Sequence, residues 1–239
     1  MIRILKNSLL IVSVAVPFLS SAQIDFGIWT GVDLRVPITK KLDAGLQMES
    51  RFANNISTVD KSFISPYLKY DLHKHIGLGM AYRFGNRPTM GLLGGETYHR
   101  IGLDANLTDL VELFMKKTKF KFDARIRYTH AWSQGDLNND NFRTRVKLSY
   151  NLPKTKLKPH VAAEFFLRFN DQLTYTSTGV TGNHRFNKYR LRLGLDYPIN
   201  KRHELNVYYI VEPKLESPDT DFILGLGYKY EVKRKKKKR

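Results

Sequence analysis

Apolar and polar residues alternate along most of this chain, from Phe26 to Val232, and this two-residue period constrains the fold more than any other feature. Successive side chains of a β-strand point to opposite faces, so such alternation predicts strands with one apolar and one polar face. Between Lys188 and Tyr197, for example, the leucines stand at odd positions and the arginines at even ones. The runs are about ten residues long, which a tilted strand needs to cross a bilayer, whereas strands in soluble proteins are about half that length.

The apolar faces also tend to end in aromatic residues, as expected of the two interfacial girdles of a membrane barrel. The aromatic residues near predicted strand ends are Phe52, Phe84, Trp132, Phe142, Tyr150, Phe169, Tyr189, Tyr197 and Tyr228.

The connections between the runs alternate in kind. One set is short and rich in lysine or proline: residues 37–41, 71–75, 153–158 and 198–203. The other set is longer and rich in Asn, Gly, Ser, Thr and Asp: residues 54–62, 85–96, 133–141, 170–185 and 213–221. We therefore predict an all-β, antiparallel up-and-down transmembrane β-barrel of about 10 to 12 strands, with short turns at one end and long loops at the other. The pattern shows eleven runs, although bacterial single-chain barrels are expected to have an even number.

One connection differs from the rest. In residues 109–117, Asp109 is placed to cap a short helix whose third residue is Glu112 and whose last turn is basic. The sequence predicts a short interfacial helix here, with a wide loop as the alternative.

The N-terminus has the three-part layout of a secretory signal peptide. Arg3 and Lys6 precede an apolar stretch at residues 9–16, and small residues follow up to Ala22. We assign residues 1–22 to a signal peptide, 23–232 to the barrel and 233–239 to a basic, disordered tail. The formal net charge of +18 would raise nucleic acid as a partner, but export argues against it. The chain has no cysteine, so disulfides and thiolate metal sites are excluded.

Four stretches of the first half resemble a known family: residues 25–31, 40–52, 67–70 and 79–84. They look like the domain-of-unknown-function 2490 family of outer-membrane barrels in Bacteroidota. The resemblance implies a β-barrel in the bacterial outer membrane and carries over no functional residues. One departure concerns assembly: barrel chains commonly end on a strand with a terminal aromatic residue, whereas here a polybasic tail follows Val232.

If the apolar faces meet lipid, the polar faces line the lumen, and they are rich in charge. The predicted lumen cluster comprises Arg51, Arg83, Arg100, Arg125, Arg127, Arg143, Arg145, Arg168, Arg190, Arg192, Glu49, Asp104, Asp123, Glu164, Asp196, Glu204 and Glu212. Such charges must be paired or hydrated, so the first interpretation is an ion-pair network that fills a small barrel. The second is a cation-lined lumen or mouth that attracts anionic glycolipid or acidic solutes. The lipid bilayer is the expected partner in either case.

Two other classes of protein remain open. His160 and Glu164 share the polar face of one run and Ser149 lies inward on the preceding one, so a lipid-modifying enzyme, an acyl hydrolase or transferase, is conceivable. The sequence has no Gly-x-Ser-x-Gly elbow and no His-Glu-x-x-His motif, and we predict neither a metal site nor a cofactor. The last alternative is an exported soluble barrel with its apolar faces turned inward around a hydrophobic ligand.

Overall fold

The computed structural model of the chain describes residues 24–88, 95–115, 118–133, 139–169, 174–176, 179–181, 185–215 and 219–233. The predicted signal peptide and the basic tail beyond Lys233 lie outside the described residues. Among the residues that are described, no helix is long and apolar enough to cross a membrane. The strands are β1 (Ile24–Pro37), β2 (Leu42–Ala53), β3 (Thr58–His73), β4 (Ile76–Pro88), β5 (Gly95–Leu107), β6 (Phe120–Ser133), β7 (Asn139–Tyr150), β8 (Lys158–Arg168), β9 (Thr174–Thr176), β10 (Gly179–Thr181), β11 (Arg185–Pro198), β12 (His203–Pro213) and β13 (Thr220–Glu231).

Eleven of these strands close into one barrel, and the short β9 and β10 form a separate hairpin in the connection between β8 and β11. Neighbouring barrel strands are antiparallel except β1 and β13, which pair in parallel from Ile24 with Thr220 to Arg35 with Glu231. The predicted up-and-down barrel and the count of eleven runs are confirmed. The expectation of an even number is wrong. With an odd number the first and last strands run in the same direction, so a parallel ladder must close the barrel.

Apolar side chains lie on the outside of this barrel and charged side chains on the inside, which is the opposite of a soluble barrel. The outward-facing Leu191 and Leu193 are 49% and 62% exposed, whereas the neighbouring Arg190 is only 6% exposed. Comparable apolar side chains are exposed on every barrel strand, and soluble monomers rarely expose apolar patches above a few hundred Å². The exterior therefore requires lipid as its neighbour. The soluble barrel with inward apolar faces is excluded.

Aromatic side chains mark two rims on the barrel exterior. Near the long loops, the rings of His99 and Trp132 are stacked with their centroids 5.3 Å apart. Near the short turns, the ring centroids of Phe120 and Tyr150 are 4.7 Å apart. The predicted girdle residues Trp132 and Tyr150 thus lie in opposite rims, and the lipid-facing part of the barrel lies between them.

We call the two ends of the barrel the turn end and the loop end. The turn end carries the connections 38–41, 74–75, 108–119, 151–157 and 199–202. The loop end carries the connections 54–57, 89–94, 134–138, 169–184 and 214–219. Most strands extend past the predicted runs, so four of the five loop-end connections are shorter than the sequence indicates, and the connection between β8 and β11 keeps its predicted length. The prediction of a long loop after β2 is wrong, because four residues make a tight turn there with Asn54, Asn55 and Ile56 at positive φ.

The connection between β5 and β6 contains one turn of 3-10 helix, Leu110–Leu113, in place of the predicted capped helix. Asp109 has a left-handed φ of 53° and makes no side-chain capping bond. Its backbone N–H donates to the Asp123 carboxylate at 2.8 Å, and its own carboxylate lies 3.2 Å from Lys121 Nζ. These contacts tie Asp109 to β6 and leave its carboxylate unable to cap the helix.

Candidate functional site in the barrel lumen

The alternation of each strand places the predicted charged residues on the interior face of the barrel. Those that line two internal cavities are Arg51, Arg83, Arg100, Arg125, Arg127, Arg143, Arg145, Arg190, Arg192, Glu49, Asp104, Glu164, Asp196 and Glu204. Arg168 ends β8 at the loop end, and Asp123 lies three residues into β6 from the turn end. The lumen therefore contains many more guanidinium groups than carboxylates.

The two cavities have volumes of about 360 Å³ and about 310 Å³. They share lining residues, including Asp33, Gln47 and Arg127, so they are neighbours within one lumen. Both reach Lys229, which lies two residues from the turn end of β13. The open part of the lumen therefore extends toward the turn end.

One carboxylate organises the largest ion-pair network. Glu164 Oε1 lies 3.0 Å from Arg125 Nη2 and 2.9 Å from Arg143 Nη2, and Glu164 Oε2 lies 3.1 Å from Arg190 Nη1. Arg190 also donates from Nε to Glu212 at 2.5 Å. Glu164, Arg190 and Glu212 are each at most 6% exposed. A buried carboxylate among three guanidiniums is held by charge-assisted hydrogen bonds and links the four neighbouring strands β6, β7, β8 and β11 along one wall of the lumen.

Three smaller pairs also lie in the lumen. Arg127 donates two hydrogen bonds to the two oxygens of Asp104, in the bidentate geometry that suits a guanidinium. Arg51 Nε lies 2.6 Å from Glu49. Asp196 accepts a hydrogen bond from the amine of Lys147 at 3.0 Å.

Four lumen arginines have no carboxylate within 4.0 Å among the described residues, namely Arg83, Arg100, Arg145 and Arg192. Two of them rest on aromatic rings: Arg83 lies 3.4 Å from the centroid of Phe63, and Arg192 lies 4.1 Å from that of Tyr208. The Nε atoms of Arg83 and Arg100 are buried without a hydrogen-bond partner. A positive charge with no carboxylate partner is costly in a closed lumen, so this part of the site is suited to an anion.

Near the loop end the lumen is filled by large uncharged side chains, which we call the aromatic layer. Its members are Trp29, Phe63, Tyr98, Phe166, Ile210 and Ile223, each at most 7% exposed. Arginines link it across the barrel, since the Arg190 guanidinium is 4.9 Å from the ring centroids of both Trp29 and Phe166. The residues of the layer lie within about five positions of the loop end of their strands. The sequence analysis did not predict this layer. The available signal was an aromatic residue on the polar face of a run, such as Trp29.

The structure does not assemble the candidate serine–histidine–glutamate set. Ser149 is the cross-strand partner of His160, but the His160 ring leans over Gly194 on the other side, and its Nδ1 lies 3.3 Å from Asp196. The Glu164 carboxylate is occupied by arginines, and no hydrogen bond joins Ser149 to His160 among the described residues. Among all the residues that the structure describes, no group of three or more His, Asp or Glu side chains could hold a metal ion.

A closed barrel with a lipid-facing apolar exterior and a charged lumen is a transmembrane β-barrel. The chain belongs to the family described as "Protein of unknown function (DUF2490)", whose sequence model matches residues 26–222. This match confirms the resemblance carried by the strand motifs of the first half. No curated protein matches the sequence.

Two solved structures are similar at low identity. One, from work on the in-meso crystallization of membrane proteins, is 13% identical, with 82% of this chain and 77% of that chain covered and a TM-score of 0.39. The other, the translocator domain of the autotransporter NalP from Neisseria meningitidis, is 11% identical, with 77% and 71% covered and a TM-score of 0.41. Similarity of this degree says nothing about function.

Proposed function

We propose that this protein is an integral barrel of the bacterial outer membrane whose lumen binds a small anionic solute that enters from the turn end. The observation that carries the proposal is the surplus of lumen arginines: Arg83, Arg100, Arg145 and Arg192 have no carboxylate partner, and they line the two cavities. Guanidinium groups bind carboxylate and phosphate groups with charge-assisted, often bidentate hydrogen bonds. The ligand is therefore a phosphate- or carboxylate-bearing molecule.

The size of the site favours a solute over a glycolipid. Cavities of about 360 Å³ and about 310 Å³ lie at the small end of the range for ligand pockets, which begins near 300 Å³. The aromatic layer fills the lumen near the loop end, whereas the cavity lining continues to Glu204 and Lys229 at the turn end. The lumen is thus a pocket with one mouth, and a solute reaches it from the turn end.

Isothermal titration of the detergent-solubilised full chain with citrate and with inorganic phosphate tests this proposal. Replacing Arg83 and Arg145 by glutamine removes two unpaired charges, and each lost charge-assisted hydrogen bond costs about 1.5–3 kcal/mol. The double variant should bind the anion at least about tenfold more weakly than the wild type. The matched control is Lys61→Gln together with Lys214→Gln, which removes the same charge from residues paired with Asp60 and Asp221 near the loop end.

The control variant should bind the anion as the wild type does. If neither anion binds the wild type, or if both double variants lose affinity equally, the arginine surplus is not a binding site. The filled ion-pair network would then be the whole role of the lumen charges.

A further inference from the structure

The charge of the protein is distributed very unevenly between the two ends of the barrel. The five turn-end connections together carry a net charge of +8, and the chain after β13 carries +7 more. The five loop-end connections together carry −3. The turn-end connections alone thus exceed the loop-end connections by 11 charges, +8 against −3.

Six of the described turn-end charges lie on turns that follow one another around the rim. The barrel order places β2, β1, β13, β12, β11, β8 and β7 side by side, so the turns 38–41, 199–202 and 151–157 follow one another around the rim. Lys156 joins two of these turns, because its Nζ donates to the Ile199 carbonyl at 2.8 Å. We call this surface the basic arc, and it comprises Lys40, Lys41, Lys154, Lys156, Lys201 and Arg202.

The charged groups of the basic arc form no ion pair within the described part of the protein. All six side chains are exposed, and none has a carboxylate within 4.0 Å among the described residues. The nearby Asp43 and Glu231 both contact Arg35 instead. The arc is therefore available to an external anionic partner.

Exposed apolar side chains stand among these charges and identify the kind of partner. Ile38 is 51% exposed in the turn that holds Lys40, and Ile199 is 39% exposed in the turn that holds Lys201. On the other side of the same end, Phe114 is 86% exposed. Basic and apolar side chains side by side are typical of surfaces that contact a bilayer at the boundary of headgroups and acyl chains. A soluble polyanion gives no reason for the apolar members.

The position of the arc also favours lipid. The aromatic pair of Phe120 and Tyr150, with ring centroids 4.7 Å apart, marks the membrane interface at the turn end. The turn tips continue directly from the strands that carry this rim, so their amines lie at the level of the headgroup phosphates. We propose that the basic arc binds the anionic phospholipid headgroups of the leaflet at the turn end.

Native mass spectrometry of the full chain, released from detergent with equimolar phosphatidylglycerol and phosphatidylcholine, tests the proposal. The test variant is Lys41→Gln, Lys154→Gln and Lys201→Gln combined. The wild type should retain more phosphatidylglycerol than phosphatidylcholine, and the variant should lose this preference by roughly fivefold or more, as expected for charges near a lipid surface. Heat-dependent gel mobility establishes that each variant is folded.

The matched control is Lys61→Gln, Arg87→Gln and Lys214→Gln combined, which lowers the net charge equally but near the loop end. This variant should keep the wild-type preference. Equal retention of both lipids by the wild type, or an equal loss in both triple variants, overturns the proposal. Displacement of phosphatidylglycerol by inorganic phosphate at the same concentration also overturns it, because the arc would then bind soluble phosphate rather than headgroups.

Discussion

Replacing Glu164 by glutamine should destabilise the barrel more than any other single removal of a lumen carboxylate. Three guanidiniums, from Arg125, Arg143 and Arg190, lie within 3.1 Å of this carboxylate. Glutamine has nearly the same size but no charge, and its amide nitrogen repels the donors it faces. Breaking a buried ion pair from one side costs about 3–5 kcal/mol, because the remaining charges stay buried without compensation.

For a chain of this size, that loss corresponds to a fall in melting temperature of about 6–20 °C. The assay is the midpoint temperature of the shift in gel mobility between folded and unfolded barrel. Glu204→Gln is the matched control, since Glu204 lines the same cavity with no basic partner within 4.0 Å among the described residues. A midpoint within about 2 °C of the wild type would refute the assignment of Glu164 as the organising carboxylate.

Three further predictions follow from the packing. Wild-type protein in planar bilayers should show no steady conductance, and steady conductance of the wild type would contradict a lumen that is open only at the turn end. Trp29→Ala combined with Phe166→Ala should open a conducting path, because it removes two rings of the aromatic layer. Leu193→Arg should reduce the yield of folded, membrane-inserted protein, because an arginine on the lipid face near the bilayer midplane costs about 2–4 kcal/mol, whereas Arg192→Leu on the lumen face should not reduce insertion. Gly27→Ala should destabilise the barrel by about 1–3 kcal/mol, since its Cβ would lie 2.6 Å from the Phe52 carbonyl oxygen, while Gly102→Ala, with its nearest neighbour 3.6 Å away, should melt near the wild-type temperature.

The fold could be predicted from the sequence because each strand of a lipid-facing barrel has its own alternating pattern of apolar and polar residues. In β11 the alternation of leucine and arginine gives the strand, its two faces and its length without knowledge of any partner strand. The closing pair could not be predicted in this way. The parallel ladder from Ile24 with Thr220 to Arg35 with Glu231 joins residues at opposite ends of the chain, and no local signal reports it.

The sequence predicts which charged residues face the lumen, but it does not predict which of them form ion pairs with one another. Alternation assigns Glu164 and Arg143 to the interior, yet their contact depends on the stagger between strands, which sequence does not give. The same limit applies to Ser149 and His160, which are cross-strand partners, because the strand pattern does not report which way a side chain turns. In the folded barrel the His160 ring turns away from Ser149 toward Gly194, because a glycine leaves the space that the imidazole fills.

The central claim is that lipid meets the leucine face of each strand and that the arginine face is enclosed. The chain has no cysteine, so a single nitroxide label can be placed at Leu191, Leu193, Leu195, Arg192 or Asp196 in turn. In vesicles, labels at the three leucine positions should collide mainly with oxygen, which concentrates in hydrocarbon, and labels at Arg192 and Asp196 should be oxygen-poor and reached by a water-soluble nickel complex. If oxygen instead collides mainly with labels at Arg192 and Asp196, or equally with all five labels, the account is contradicted.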